Sequence, residues 1–271
     1  MIYFDGNIHV YYNTEGVIYD SPSKVFARYK NKFDADAVAA NYAKKHGQTP
    51  EYWKKQWEQE KDKSLVRGTG IHQTKEDLMF GRGIDKYGGR TYTVQNPDLL
   101  IGPVIRELKD LPEGVYPEMP VWNHNYRVSG KPDKVVIEKV LGNKYAHVDD
   151  FKTNKSIDKI SYEHHRDGYK MMKGPLAHLM DCNWVHYMLQ MSFYQWILEE
   201  AGLKVGKRTL IHIPHPTKTT GLLGEEVMHQ PDDVLYKIPY AKSEILATLA
   251  DYNKGRKLQY YKDVKKNTHG K

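Results

Sequence analysis

The sequence predicts an α/β sandwich, and three observations carry that prediction. Two β-favouring runs around a Gly-Asn turn read as an antiparallel hairpin over 127–153. A stretch apolar almost all round the helical wheel follows at 183–200 and reads as a buried helix stopped near Gly202. Helix and strand signals continue on both sides, so the order is helices, hairpin, helix, strand, helix.

Taken in order, residues 8–19 alternate short β-favouring runs around Asn13, Thr14, Glu15 and Gly16, which predicts a peripheral hairpin. The run DADAVAANYAKKH at 34–46 opens on an acidic cap candidate, is rich in alanine and ends at Gly47, so it predicts a helix. A second helical stretch follows Pro50, with a break or bend expected near Gly68 and Gly70 before it continues through His72 and Glu76. The run RTLIHI predicts a short strand, and 240–253 a closing helix. Residues 214–233 show little periodicity and read as loop, as does the basic stretch after Lys254.

A chain of 271 residues with 39% hydrophobic content, 21 Tyr, 6 Phe and 5 Trp can bury one core, which favours a single domain. We divide it into an N-terminal hairpin and helical elaboration over 1–65, a core over 66–255 and a basic tail over 256–271. The balance of 41 Lys and Arg against 34 Asp and Glu, net +7, favours a polyanionic partner without requiring one. The single Cys182 excludes an internal disulfide, a zinc ribbon or an iron-sulfur cluster held by four thiolates of this chain. The N-terminal residues lack the basic start and apolar run of a signal peptide, and no stretch has membrane-spanning length. The expectation is a cytoplasmic protein in a reducing compartment, with no membrane partner.

The sharpest chemical signal lies on the predicted hairpin. Asp133 follows Pro132, and Asp150 stands near the end of the next strand with Lys152 two residues on. Residues two apart on a strand share a face, so Asp150 and Lys152 project together, and antiparallel pairing can bring Asp133 beside them. Such a pair of carboxylates suits a hard divalent cation, and an ammonium beside it suits phosphodiester hydrolysis. The pattern alone fits an ordinary solvated hairpin equally well. His72 and Glu76 lie four apart on a helix, and an imidazole suits a metal site, manganese more than magnesium. Gln190 and Tyr194 lie four apart on the apolar helix, where a buried amide needs a partner. The neighbouring Asp149 poses a question of register, because it lies on the opposite strand face, and the spacing to Lys152 favours Asp150.

Two other groupings suggest a metal phosphohydrolase: His164, His165 and Asp167, and His147 with Asp149 and Asp150. Neither carries the further His and Asp that such enzymes need. His212 and His215 flank Pro214 and read as a strand edge and a loop.

Read together, these pieces resemble the RecB-like branch of the PD-(D/E)XK nucleases, a branch that includes phage recombination exonucleases and the mitochondrial genome maintenance exonuclease. Gly68, Thr69 and His72 match a Gly-Thr-x-x-His start; Gly130 and Asp133 match Gly-x-x-Asp. Asp150, Lys152 and Thr153 match Asp-x-Lys-Thr, and Gln190 with Tyr194 match Gln-x-x-x-Tyr. A softer likeness is the lead-in, where Tyr29, Phe33 and Asp34 precede a helix and a tryptophan-bearing helix precedes the histidine. The resemblance spans roughly 20–200, and the joint order of the elements is far more specific than any one of them.

The resemblance implies a restriction-endonuclease-like core, a central mixed sheet flanked by helices, bearing a magnesium-dependent DNA exonuclease in which manganese can substitute. It implies metal ligation by His72, Asp133, Asp150 and the Phe151 carbonyl, with Glu76 as an outer ligand. Asp133, Asp150, Lys152, Gln190 and Tyr194 would be catalytic, Lys152 serving the attacking water. Arg67, Thr69, Lys75, Thr153, Lys155 and Arg166 are the candidate nucleic-acid contacts. Expected partners are linear duplex or single-stranded DNA and a recombinase or single-strand-binding protein. A structure-specific or nicking endonuclease on the same site, and an idle nucleic-acid-binding module, remain the alternatives.

Overall fold

A computed structural model describes residues 2–5, 10–101, 107–164, 168–220 and 226–268. Its centre is a five-stranded mixed sheet whose spatial order follows the chain. The strands are β1 (Gly114–Pro117), β2 (Lys134–Val140), β3 (Asn143–Lys152), β4 (Lys204–His212) and β5 (Val234–Lys237). All neighbours pair antiparallel except β3 and β4, which are parallel. A parallel pair needs a long crossover. Here α4 (Asn183–Glu200) lies within it.

Besides a single turn at Pro97–Leu100, the described helices that accompany the sheet are α1 (Pro22–Ala27), α2 (Ala35–His46), α3 (Pro50–Arg82), α4 and α5 (Lys242–Thr268). The α/β class with a central mixed sheet and an N-terminal helical region is therefore as the sequence predicts. Local signals explain the helix ends. Asp34 caps α2 by accepting from the Ala37 N–H at 3.0 Å, and Gly47 closes it at φ 81°. Thr49 caps α3 at 3.2 Å with Pro50 in its first turn.

Strand alternation divides the core between the two faces of the sheet. Val135, Ile137, Ala146 and Val148 pack with α4, where every residue from Met191 to Leu198 is buried. Val136 and Phe151 pack on the other face with Met79 of α3. Asp150 thus shares the α4 face and Asp149 the α3 face, because the pleat sends adjacent side chains to opposite sides. The β2–β3 turn is Leu141–Gly142, both with positive φ (48° and 82°), the handedness that matches the strand twist of a two-residue hairpin.

Several expectations are corrected. Helix α3 runs unbroken through Gly68 and Gly70. The small hairpin is Val10–Asn13 with Ile18–Tyr19, and a further strand, Ile2–Asp5, joins it. The region read as loop holds a hairpin, Thr217–Thr220 with Glu226–His229, and β5 follows it at the sheet edge. The closing helix starts at Lys242 and continues to Thr268, so the stretch read as a basic tail is helical as far as it is described. A hairpin at Ile84–Tyr87 and Arg90–Thr93 had no counterpart in the sequence reading. No described helix is long and apolar enough to cross a membrane.

Candidate metal centre

Five polar groups meet where β2 begins and β3 ends. Asp133 precedes β2, and the hairpin register carries it to the last turn of pleat in β3, where its Oδ2 accepts from the Phe151 N–H at 2.6 Å. Its Oδ1 lies 3.2 Å from His72 Nδ1, which α3 delivers over the edge of the Phe151 ring (centroids 6.0 Å apart, planes at 83°). Asp150 and Lys152 project from β3 on the α4 face, and Lys152 Nζ is paired with Asp150 Oδ2. The fifth group is Glu118, just beyond β1, in the left-handed region at φ 47° with its N–H donating to the Asp133 carbonyl at 3.0 Å.

One donor atom each from His72, Glu118 and Asp133 lies within 4.8 Å of the others, so these three can hold a metal ion. Two carboxylates and an imidazole form a set that a divalent cation accepts, with room for further oxygen ligands. The trio differs from the expected ligands in two ways. Glu118 was not anticipated, and Asp150 stands outside the trio, engaged by Lys152. Glu76 is half-buried one turn beyond His72 and is also outside the trio. Phe151 enters the geometry through its N–H; ligation by its carbonyl stays an expectation.

The electrostatics describe a crowded anionic corner. Burial pushes the Glu118 carboxyl up to about 7, with the Asp133 charge adding to it and Lys131, 3.6 Å away, opposing it. Burial also raises Asp150, to about 6, against the pull of Lys152. His72 is raised chiefly by its hydrogen bond to Asp133. For Lys152, burial lowers the ammonium, but Asp150 and Asp133 outweigh it and hold the group above the ordinary lysine value. Neighbouring anions that disfavour one another's ionisation are relieved by a bound cation, which supports the fit of the trio to a metal.

Helix α4 supplies the far wall. The Gln190 amide donates to Tyr194 OH at 3.1 Å; Tyr194 is buried, whereas Gln190, expected to be buried, is only partly so. Burial holds the Tyr194 phenol far above its ordinary value, so it stays a protonated donor. Gly130 is explained by the same ring: a Cβ there would lie 2.5 Å from Tyr194 Cε1. The Gly-x-x-Asp and Gln-x-x-x-Tyr elements are therefore one packed unit. Sequence reasoning missed Tyr187, whose ring faces Lys152 Nζ at 5.1 Å and whose hydroxyl donates to Asn154 Oδ1 at 2.5 Å. It lies three residues before Gln190, on the same helix face, a spacing that could have revealed it.

The candidate nucleic-acid contacts divide. Arg67 docks α3 onto the sheet end, donating to the carbonyls of Thr153 (2.7 Å), Pro214 (2.8 Å) and Ile213 (3.3 Å). Lys75 pairs with Asp233 at 2.9 Å, and Lys155 with Glu60 at 3.0 Å. Thr69 is exposed and Thr153 half-buried; Arg166 lies outside the described residues, as do His165 and Asp167. The grouping of His147 with Asp149 and Asp150 does not form. His147 Nδ1 accepts from the Lys207 N–H at 2.9 Å and its Nε2 meets Glu138 at 3.1 Å, while Asp149 binds Lys134 at 3.1 Å. His212 sits at the strand end and His215 in the loop, as read, on the carbonyls of Asn154 (2.8 Å) and Thr153 (3.0 Å).

The class defined at this point is an α/β protein with a candidate metal centre at one end of its sheet. No protein-family model and no curated protein matches the chain.

Proposed function

We propose that this protein is a divalent-metal-dependent deoxyribonuclease of the RecB-like PD-(D/E)XK kind, acting as an exonuclease in DNA recombination, repair or replication processing. The observation that carries the reading is the convergence, from distant parts of the chain, of His72, Glu118, Asp133, Asp150 and Lys152 against Tyr194. A packing reason links Gly130 to Tyr194, so the matching motif elements depend on each other physically.

His72, Glu118 and Asp133 would hold magnesium, or manganese in its place, with Asp150 beside them and the Phe151 carbonyl as a further ligand. When bound, the cation supplies Lewis-acid polarisation of the phosphoryl group. Lys152 keeps its proton, so its Nζ donates to the attacking water or to a non-bridging oxygen and does not act as a base. The protonated Tyr194 hydroxyl and the Gln190 amide offer two more donors on the side of Asp150. His72 is fixed by Asp133 through Nδ1. DNA is the proposed partner, with a recombinase or single-strand-binding protein as a protein partner, in a cytoplasmic setting.

The test is digestion of end-labelled linear and covalently closed circular DNA with magnesium, wild type beside Asp150→Ala. The expected result is release of nucleotides from linear DNA only, lost in the variant. Cutting of the closed circle would instead establish an endonuclease. Absence of cutting on every DNA with either metal, in protein that still binds DNA, would leave the idle module.

A further inference from the structure

Immediately past Lys152 the chain borders a cleft of ≈ 510 Å³, lined by Glu60, Lys61, Ser64 and Leu65 of α3 on one side and by Thr153, Asn154, Lys155 and His215 on the other. The geometry points to this cleft as a binding subsite for an unpaired nucleic-acid strand, holding the nucleotides next to the phosphate at Lys152. The inference rests on the proposed phosphodiester chemistry only for where the reacting phosphate sits.

Three observations support it. First, the floor is rigid: Thr153 O is held by Arg67 at 2.7 Å and by His215 at 3.0 Å, and Asn154 O by His212 at 2.8 Å. A strand lying in the cleft therefore meets a fixed surface that begins one residue beyond Lys152 along the chain. Second, Leu65, which lines the cleft, is 66% exposed, a large apolar side chain on the helix that forms the wall. An apolar wall beside cations suits a nucleotide, whose base takes the wall and whose phosphate takes the cation. Only an unpaired base offers its face to such a wall, because in a duplex the faces are stacked inside. Third, Lys155 spans the cleft to Glu60, and with side chains 73% and 49% exposed the pair contributes little. A phosphate can replace Glu60 as the partner of Lys155 at small cost, and Lys61 stands beside it on the same helix.

Binding of a fluorescein-labelled oligothymidylate, and of a duplex of the same length, is measured by anisotropy in the presence of chelator, so nothing is cut. The variants are Lys61→Glu, Lys155→Glu and Leu65→Ser, all at exposed positions, with Lys139→Glu at the opposite end of the sheet as the control of equal charge. The expected result is about tenfold weaker single-strand binding for each cleft lysine variant, with the salt dependence flattened by about 0.7 for each phosphate no longer held. Leu65→Ser should weaken binding several-fold with the salt slope unchanged. The inference is overturned if wild type does not bind the oligothymidylate, if the cleft variants match Lys139→Glu, or if duplex binding falls as much as single-strand binding. Cutting by a wild type whose cleft variants bind normally would remove the subsite and keep the nuclease. Cleft-dependent binding without cutting in any metal would do the reverse.

Discussion

Strand β3 carries two adjacent aspartates, and its two faces use them in opposite ways. On the α3 face Asp149 meets Lys134, which is also held by Asp85, each at 3.1 Å, beside the Glu138–His147 pair. Each charged group there has a partner within the chain. On the α4 face Asp150 has Lys152, but Asp133, Glu118 and His72 crowd the same corner, and Glu118 and Asp150 are raised by burial and by Asp133. What sets the second cluster apart is that one donor atom each from His72, Glu118 and Asp133 lies within 4.8 Å of the others, a convergence that suits a cation from outside. The comparison teaches that burial of an Asp-Lys pair says little by itself; the convergence of ligand atoms on one point separates a candidate site from a structural pair.

The largest expected effects test this division. Asp150→Asn should lower DNA cutting by about 10²-fold or more, while the melting temperature changes little, because the repulsion with Asp133 that is removed offsets the pairing with Lys152 that is lost. Asp149→Asn should instead destabilise by about 3 kcal/mol, because Lys134 is 7% exposed and loses one of its two carboxylates. Its activity per folded molecule should match wild type. Thermal melting and active-fraction kinetics on the two variants decide the matter, and exchanged phenotypes would erase the distinction between the faces.

Much of this division is legible in the sequence, since Asp149 and Asp150 differ by one position in a strand and the pleat sends them apart. The capped helix α2, the 183–200 helix and the β2–β3 hairpin are likewise local signals: a cap, an apolar run, a turn. What escaped is set by tertiary contact. Helix α3 passes Gly68 and Gly70 unbroken, and Arg67 beside them bonds three carbonyls of the sheet end, an anchorage that outweighs the low propensity of glycine. Glu118 reaches the site from a left-handed residue after a short strand, and nothing in its neighbours marks it. The partners that Arg67, Lys75 and Lys155 find within the chain, Thr153, Asp233 and Glu60, are distant in sequence and so leave no local signal.

The packed link between Gly130 and Tyr194 gives the next effect. Gly130→Ala places a methyl carbon 2.5 Å from the ring carbon, which should cost about 1–3 kcal/mol by urea unfolding as the ring is displaced. In the Tyr194→Ala background the same change should be nearly neutral, since the obstructing ring is gone. Additive losses in the double variant would detach the two motif elements from one another.

A smaller effect is expected at Tyr187, whose ring centroid lies 5.1 Å from Lys152 Nζ. Tyr187→Leu should lower kcat about 5–10-fold with KM unchanged, because it removes one partly desolvated cation–ring interaction. Tyr187→Phe keeps the ring face and should restore most of the rate, although it gives up the bond to Asn154. Equal losses in both variants would shift the role from the ring to the hydroxyl.

The smallest effect concerns Lys75, which touches the back of the site. Its ammonium pairs with Asp233 and lies 5.8 Å from the Phe151 ring centroid, on the face away from Asp150. Both side chains of the pair are about one-third exposed (35% and 34%), so Lys75→Ala should change stability by no more than about 0.5 kcal/mol. If the two faces are as independent as their charge pairing indicates, cutting should also stay within about twofold, because Phe151 orients Asp133 through its backbone N–H and not through its ring. A tenfold loss of rate in stable protein would show that the ring position is transmitted to the Asp133 carboxylate. The separation of the faces would then hold for charge but not for geometry.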